Sequence, residues 1–341
     1  MDFLKINGEF GEGGGQIIRT AITLSCITKQ PIIIENIRKN RTVSGLRPQH
    51  LTAIKILQKI CNADVEGAKI GSTNLKFIPR DVKNCNLIED IGTAGSISLI
   101  LQVIIPVAAI SQKNMKLTIK GGTDTLWSPT IDYTEHVLKE AYARMGIKFS
   151  IKLIKRGYYP KGGGQIILDI LPAKIKSISL IKRKTKNIKL LCSFSNLPYE
   201  LIKKHVDIIE KQLCEKNFLV KTEIKEENAI DSGATLLLFS IDEESIIGFD
   251  SIFDKKIEKF NLDLESFMQN NLGVDKCLAD MLVLPASLTN EMTIFRVPDI
   301  SKHLETNLFV TSKITGCKYG VGKINDGFEI RIEGVLNTSI K

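Results

Sequence analysis

The chain has 341 residues, of which 43% are hydrophobic and 25% are charged, and its net charge is +9. This composition is ordinary for a globular protein of about two domains, and it excludes collagen-like and low-complexity chains. The positive charge favours a polyanionic partner such as nucleic acid, although a generic basic surface would give the same excess.

The first predicted element is a helix that follows a glycine-rich loop. Residues 11–15 read Gly-Glu-Gly-Gly-Gly, and apolar residues at helical spacing predict a helix over residues 14–28. The free N–H groups of such a helix start can hold an anion. The loop matches neither common phosphate-loop pattern, so a plain tight turn is the alternative. Because Arg38, Arg41 and Arg47 follow, we favour a phosphate-rich ligand.

Helices and strands alternate along the following part of the chain. In order, the patterns predict a strand at 31–35, a helix at 48–61, strands near 65 and at 75–78, a helix at 95–109, a strand at 115–119, a helix at 131–145, and strands at 147–153 and 165–170. This alternation indicates an α/β or α+β architecture. Residues 101–106 share an apolar pattern and a final proline with residues 280–285, which supports a repeated unit.

The composition of residues 185–273 differs from that of the sequence on either side. This segment is rich in lysine and glutamate and has its own strand, helix, strand, strand pattern. We therefore predict a small inserted domain at 185–273. Residues 1–184 and 274–341 would form the large domain.

Cysteine usage and hydropathy bear on the compartment of the protein. The seven cysteines are scattered and odd in number, which argues against a disulfide framework or a thiolate metal site and predicts reduced thiols in the cytoplasm. The most apolar segment, residues 96–110, is too short to cross a bilayer and contains Gln102 and Pro106. We expect no membrane association.

The chain has four histidines as candidates for chemistry. His136 and His205 lie in predicted amphipathic helices, so we expect them on solvated surfaces. His50 stands at a helix start, where it can orient a polar cluster. His303 is the candidate catalytic group, because a neutral imidazole can attack phosphorus or move protons. A capping or packing role for His303 is the alternative.

Five separated segments together resemble RNA 3'-terminal phosphate cyclases, in the family's order and over nearly the whole chain. The segments are residues 11–19, 38–50, 121–124, 156–164 and 303–307. The resemblance implies ATP-dependent conversion of an RNA 3'-phosphate to a 2',3'-cyclic phosphate, with release of AMP and pyrophosphate. It further implies that His303 is adenylylated with the help of Mg²⁺ or Mn²⁺, and that AMP then passes to the RNA.

The resemblance also implies roles for individual side chains. It implies that Glu12 binds a metal ion. It implies that the RNA phosphate or the triphosphate is bound by Arg19, Arg38, Arg41 and Gln49. It implies that the nucleotide is bound by Gln16, Gln102, Cys277, Leu278, Ala279, Asp280 and Met281. Two positions depart from the family pattern. An aromatic residue or histidine is usual at Cys277 and a glutamine at Met281, so we expect altered base preference or affinity. Simple core packing of this helix is the alternative.

The fold implied by the resemblance is α+β, with repeated units of two helices against a four-stranded sheet, as in enolpyruvyl transferases and the C-terminal domain of a translation initiation factor. Two other functions share this architecture. One is a non-catalytic, cyclase-like ribosome-assembly protein that binds pre-ribosomal RNA and lacks the nucleophilic histidine. The other is an enolpyruvyl transferase, which needs no covalent nucleotide. The oligomeric state is left open, with a homodimer as one option.

Overall fold

The computed structural model describes residues 2–335 and confirms an α+β fold. A first unit contains, in chain order, β1 Leu4–Asn7, α1 Gly15–Thr28, β2 Ile32–Glu35, α2 Pro48–Cys61, β3 Asp64–Glu66 and β4 Leu75–Ile78. Its sheet has the order β1-β2-β4-β3. The strands on either side of α1 pair in parallel, and the remaining neighbours are antiparallel.

A second unit repeats this topology. Its elements are β5 Cys85–Asp90, α3 Ile97–Ile110, β6 Met115–Gly121, α4 Ile131–Tyr133, a π-helical stretch Thr134–Leu138, α5 Lys139–Arg144, β7 Phe149–Lys155 and β8 Gly164–Ile170. The sheet order is β5-β6-β8-β7, and β5 pairs with β6 in parallel. The helix predicted at 131–145 is thus a continuous helical run with a π-helical stretch within it.

A third unit begins with β9 Ser179–Leu180 and is then interrupted. The interrupting elements are β10 Asn187–Ser195, α6 Tyr199–Glu215, β11 Leu219–Glu226, β12 Gly233–Asp242, β13 Ser245–Asp254, β14 Lys259–Phe260 and α7 Leu264–Gln269. They form a five-stranded sheet with the order β11-β10-β12-β13-β14 and a second hydrophobic core. All of these elements lie within the segment predicted as the inserted domain.

The third unit resumes after the insertion. It continues with α8 Lys276–Ser287, β15 Met292–Val297, α9 Lys302–Thr315, β16 Lys318–Ile324 and β17 Gly327–Glu333. The sheet order β16-β17-β15-β9, with β9 parallel to β15, repeats the pattern of the first two units. Residue 1 and residues 336–341 of the predicted large domain lie outside the described residues.

The central helices are buried on nearly all sides. Most residues of α1 and α3 are buried. Helix α3 is apolar around nearly its whole circumference, as expected for a buried helix, whereas α1 also buries polar residues such as Gln16 and Arg19. Helix α1 packs against α3 and α9, and α9 packs against α8. This packing brings the start of α1 close to the start of α9, although Gly15 and Lys302 lie 287 positions apart in the sequence. Within residues 2–335, no helix is long and apolar enough to cross a membrane.

A buried ionic cluster joins the second unit to the inserted segment. The guanidinium of Arg156 is 1% exposed and contacts Asp124 at 3.0 Å and Asp132 at 2.7 Å. It also pairs with Glu227, which follows β11. Three carboxylates therefore compensate one buried cation, and this cluster ties the two sheets together.

Replacing Arg156 by alanine should lower the free energy of unfolding by about 3–5 kcal/mol, because it leaves buried carboxylates without their partner. Urea unfolding followed by circular dichroism measures the loss. Arg80→Ala is the control, since Arg80 and Asp64 form an exposed pair whose loss should change the stability little. Equal losses in the two variants would contradict a structural role for the buried cluster.

Candidate active site

The glycine-rich loop is held against the first turns of α9. The backbone N–H of Glu12 donates to Thr306 Oγ1 at 3.2 Å. Gly11 has a left-handed φ of 58°, and a β-carbon there would collide with the same hydroxyl. The loop therefore needs glycine at this position to make its contact. His303 lies three residues before Thr306, so the two share one face of α9.

His303 faces a carboxylate from the loop. Its Nδ1 lies 3.2 Å from Glu12 Oε2, and the side chain is 47% exposed. Glu12 also forms an ion pair with Arg41. Burial lowers the pKa of His303, Asp280 opposes this shift, and the charges of Arg19 and Arg41 reinforce it. The lowered pKa favours the neutral imidazole near pH 7.

His303 lines a cavity of about 650 Å³ that also receives the arginines predicted from the sequence. Of the predicted site residues, the cavity brings together Glu12, Gln16, Arg19, Arg38, Arg41, Gln49 and His303. Arg47, one of the three arginines for which a phosphate-rich ligand was predicted, and His50 also line it. Four arginines and one carboxylate stand among the lining residues, so the cavity has the charge expected for an anion site.

Two guanidinium nitrogens of this cavity, Arg19 Nε and Arg38 Nε, are buried and have no hydrogen-bond partner. Burial lowers the pKa of Arg19 to about 10, which leaves the side chain protonated near pH 7. Buried donors without partners are uncommon in folded proteins and need an explanation. A bound group with several oxygens would satisfy the two guanidinium nitrogens.

His50 is a buried, neutral imidazole at the start of α2. Its Nδ1 accepts a hydrogen bond from the backbone N–H of Arg47 at 3.2 Å, as the third helical residue does in a capping box. Burial and the charges of Arg19, Arg38 and Arg47 lower its pKa to about 3. His50 therefore stays uncharged beside three cations.

The stability of the protein should fall on acidification in a way that depends on His50. Its pKa is about 3 when folded against 6.5 normally, so the unfolded chain binds more protons between these values. The contribution of uncharged His50 to the free energy of unfolding is fully present above pH 6.5 and is lost as the pH falls. Between pH 6.5 and pH 5 it amounts to about 2 kcal/mol.

The matched variant for this prediction is His50→Gln, which keeps the capping hydrogen bond without titrating. We expect denaturant unfolding to show a smaller loss of stability from pH 6.5 to pH 5 in the variant than in the wild type. Other titrating groups contribute to both proteins and cancel. Parallel pH profiles would contradict the account.

A second, small cavity adjoins the first through Gln16 and Arg19. It has a volume of about 20 Å³ and includes Gln102, Asp280 and Met281 in its lining. Burial raises the pKa of Asp280 to about 6, while His303 and Arg19 act against this shift. Its carboxylate is therefore mostly ionised near pH 7.

The predicted nucleotide-binding stretch, residues 277–281, does not open into one cavity. Cys277 lies one helical turn from Met281 and lines a separate cavity of about 230 Å³ beside Tyr133 and Asp250. Leu278 and Ala279 are fully buried in the hydrophobic core. The stretch therefore has two positions in the small cavity, one in the separate cavity, and two that only pack.

Asn307 is a site residue that the sequence did not single out. Its Oδ1 accepts from Thr20 Oγ1 at 2.6 Å and from Gln16 Nε2 at 3.1 Å, and its amide donates to Asp280. A buried asparagine four residues after His303 fixes α1, α8 and α9 to one another. The available signal was its position one turn beyond the histidine on the same helix.

The other two histidines lie elsewhere. His136 stacks on Phe239 with ring centroids 5.3 Å apart, and His205 contacts the edges of Phe253 and Phe260. Both side chains are partly buried on aromatic rings rather than solvated. Burial lowers the pKa of His136. Neither histidine lines the cavity of His303.

The single carboxylate of the cavity suits a metal ion only if a bound ligand supplies further oxygens. Within the described part of the chain, no three histidine, cysteine, aspartate or glutamate side chains come close enough together to form a metal site. Glu12 Oε2 is a buried oxygen that lies 3.2 Å from His303 Nδ1. Such a single carboxylate fits Mg²⁺, which commonly takes one or two protein ligands together with phosphate oxygens and water.

Comparison with known proteins gives a consistent result. The family model described as RNA 3'-terminal phosphate cyclase matches residues 10–321. A protein of that name from Methanosarcina barkeri is 38% identical over 332 residues, which cover 96% of this chain and 99% of the relative. Proteins of the same name from Methanococcoides burtonii and Saccharolobus islandicus are 37% and 38% identical over 334 and 339 residues. The match to the Methanococcoides burtonii protein covers 97% of this chain and 100% of that relative. The match to the Saccharolobus islandicus protein covers 96% of this chain and 99% of that relative.

Proposed function

We propose that this chain, which belongs to the RNA 3'-terminal phosphate cyclase family, is an ATP-dependent enzyme acting on RNA with a 3'-terminal phosphate. The product would be a 2',3'-cyclic phosphate, with AMP and pyrophosphate released. One observation carries the proposal: His303, whose pKa is lowered, lies at a cavity lined by four arginines, and buried Nε atoms of two of them, Arg19 and Arg38, have no hydrogen-bond partner.

In the first step, His303 attacks the α-phosphorus of ATP. The carboxylate of Glu12 faces Nδ1, so the proton of the neutral ring is favoured on Nδ1 and the lone pair on Nε2. Nε2 forms a bond to phosphorus while the bond to pyrophosphate breaks. The ring becomes cationic as it gains AMP, and the facing carboxylate stabilises that charge.

In the later steps, the RNA end takes the AMP and then closes on itself. An oxygen of the 3'-phosphate attacks the phosphorus on His303, and the imidazole leaves with its electron pair. The 2'-hydroxyl then attacks the activated 3'-phosphorus, gives up its proton and expels AMP. Arg19, Arg38 and Arg41 would hold phosphate oxygens during these transfers, where negative charge accumulates.

Glu12 would hold a divalent ion in this proposal. Mg²⁺ or Mn²⁺, when bound, would neutralise charge on the phosphate oxygens. The carboxylate pairs with Arg41 in the free protein, so binding of the ion would compete with that ion pair.

The nucleotide would lie along α8. Gln16, Gln102, Asp280 and Met281 border the small cavity next to the arginines, and the separate cavity at Cys277 offers further space along the same helix. We extend the proposal to the cytoplasm, since all seven cysteines are free thiols.

The proposal is tested by incubating the purified chain with ATP, Mg²⁺ and an RNA carrying a labelled 3'-phosphate. Conversion makes the label resistant to phosphatase, and we expect this only with ATP. A chain that binds the RNA yet leaves the label sensitive to phosphatase under all metal and nucleotide conditions would instead act as a ribosome-assembly type of binding protein. The presence of His303 is the observation that favours catalysis.

A further inference from the structure

We infer that Trp127 and Tyr159 form a stacking surface for a base within the last two nucleotides of the RNA. The inference rests on the proposed function and names a part of the substrate that the arginines do not contact. Both residues line the cavity of His303, together with the four arginines. The cavity thus combines side chains that suit phosphate with aromatic side chains that suit a base.

Both aromatic side chains are largely in solvent. Trp127 is 96% exposed and Tyr159 is 68% exposed. Neither ring stacks on another aromatic side chain among residues 2–335. An indole with both faces in water has a large apolar surface that a planar ligand could cover.

The backbone holds Trp127 in this position. Its φ is 60°, a left-handed conformation that bulky residues rarely adopt. The turn that carries it is fixed on both sides, since Ser128 Oγ donates to the carbonyl of Thr125 at 2.8 Å and the N–H of Thr130 donates to Asp250 at 2.6 Å. A strained residue maintained by its surroundings often marks a functional position.

The end of an RNA strand fits both kinds of side chain in the cavity, because its phosphate suits the arginines and its base suits the aromatic rings. A terminal phosphate bound by the arginines is joined through one ribose to its own base and through the next linkage to the base before it. Aromatic side chains stack on any base, because every base has a π face. The surface should therefore bind RNA ends of all sequences, with the arginines selecting the phosphate.

Trp127 is the only tryptophan in the chain, so its fluorescence reports directly on this surface. The experiment titrates the full chain, without ATP, with two oligoribonucleotides that both carry a 3'-phosphate. One is unmodified and the other lacks its last two bases. We expect the first to quench the fluorescence and to bind about tenfold more tightly, a difference of about 1.4 kcal/mol. Equal affinity without quenching would overturn the inference.

Variants separate stacking from folding. Trp127→Ala should lose the tenfold preference in a binding assay with labelled RNA, and Trp127→Phe should keep most of it. Trp127→Gly removes the ring and suits the left-handed backbone, so it should fold normally and bind like Trp127→Ala. Ile88→Ala is the matched control, because Ile88 is 73% exposed on β5 and does not line the cavity. Wild-type preference in both Trp127→Ala and Trp127→Gly would refute a stacking role.

The two proposals fail in different ways. If the wild type adenylylates itself and cyclises RNA but binds the two oligonucleotides equally, only the stacking surface is wrong. If quenching and the tenfold preference are seen without any ATP-dependent conversion, the stacking surface stands and the enzymatic proposal is wrong.

Discussion

Replacing His303 by alanine should abolish RNA cyclisation, with a loss of about 10³-fold or more in turnover. The side chain supplies the only lone pair that the proposed first step uses. Thr306 and Asn307, which follow it on α9, are committed to hydrogen bonds within the fold. The half-exposed imidazole contributes little packing, so the free energy of unfolding should change by about 1 kcal/mol or less.

The control for this variant is Lys302→Ala. Lys302 is exposed one residue earlier on α9 and does not line the cavity. It should cyclise RNA at the wild-type rate. Cyclisation by the His303→Ala protein at more than a few per cent of that rate would show that another group carries the nucleotide.

Replacing Arg41 by alanine should reduce turnover about 100-fold while leaving the fold nearly intact. The loss in rate follows from removing a fixed cation where phosphate charge accumulates, for which single donors are worth about 10²-fold or more. The effect on stability should be small, because the ion pair with Glu12 is partly exposed and the variant also relieves repulsion among the arginines.

Steady-state kinetics and urea unfolding, measured on the same preparations, check this second prediction. Lys39→Ala is the matched control, since it removes a nearby exposed cation that pairs with Glu9 at 3.3 Å. The control should keep its activity. If Arg41→Ala loses activity only in proportion to lost stability, Arg41 has a structural role alone.

The regular elements of the large units were predictable because their patterns are strong. The proline-led start of α2 and the apolar periodicity of α1 and α3 gave bounds within two residues of those in the structure. The repeat predicted from residues 101–106 and 280–285 corresponds to α3 and α8, the first helices of the second and third units. Strand β5 was missed, because it alternates between partly buried and exposed residues and includes the exposed Ile88.

Part of the site was predictable for a similar reason. The arginines, Glu12 and His303 lie in motifs whose chemistry is visible in the sequence, and the structure gathers them around one cavity. The contact of Glu12 with His303 was not predictable from spacing, because it depends on α1 packing against α9. The division of residues 277–281 between cavities also depends on packing. Cys277 and Met281 are one turn apart on α8, yet they line different cavities because different elements pack around them.

The most direct test of the central claim uses ATP labelled at the α-phosphate. The purified chain is incubated with this ATP and Mg²⁺ or Mn²⁺ in the absence of RNA, and the protein-bound label is then mapped to a peptide. We predict an acid-labile AMP on the peptide that contains His303, and no label on the His303→Ala protein. Equal labelling of the two proteins, or label on any other residue, would contradict the account.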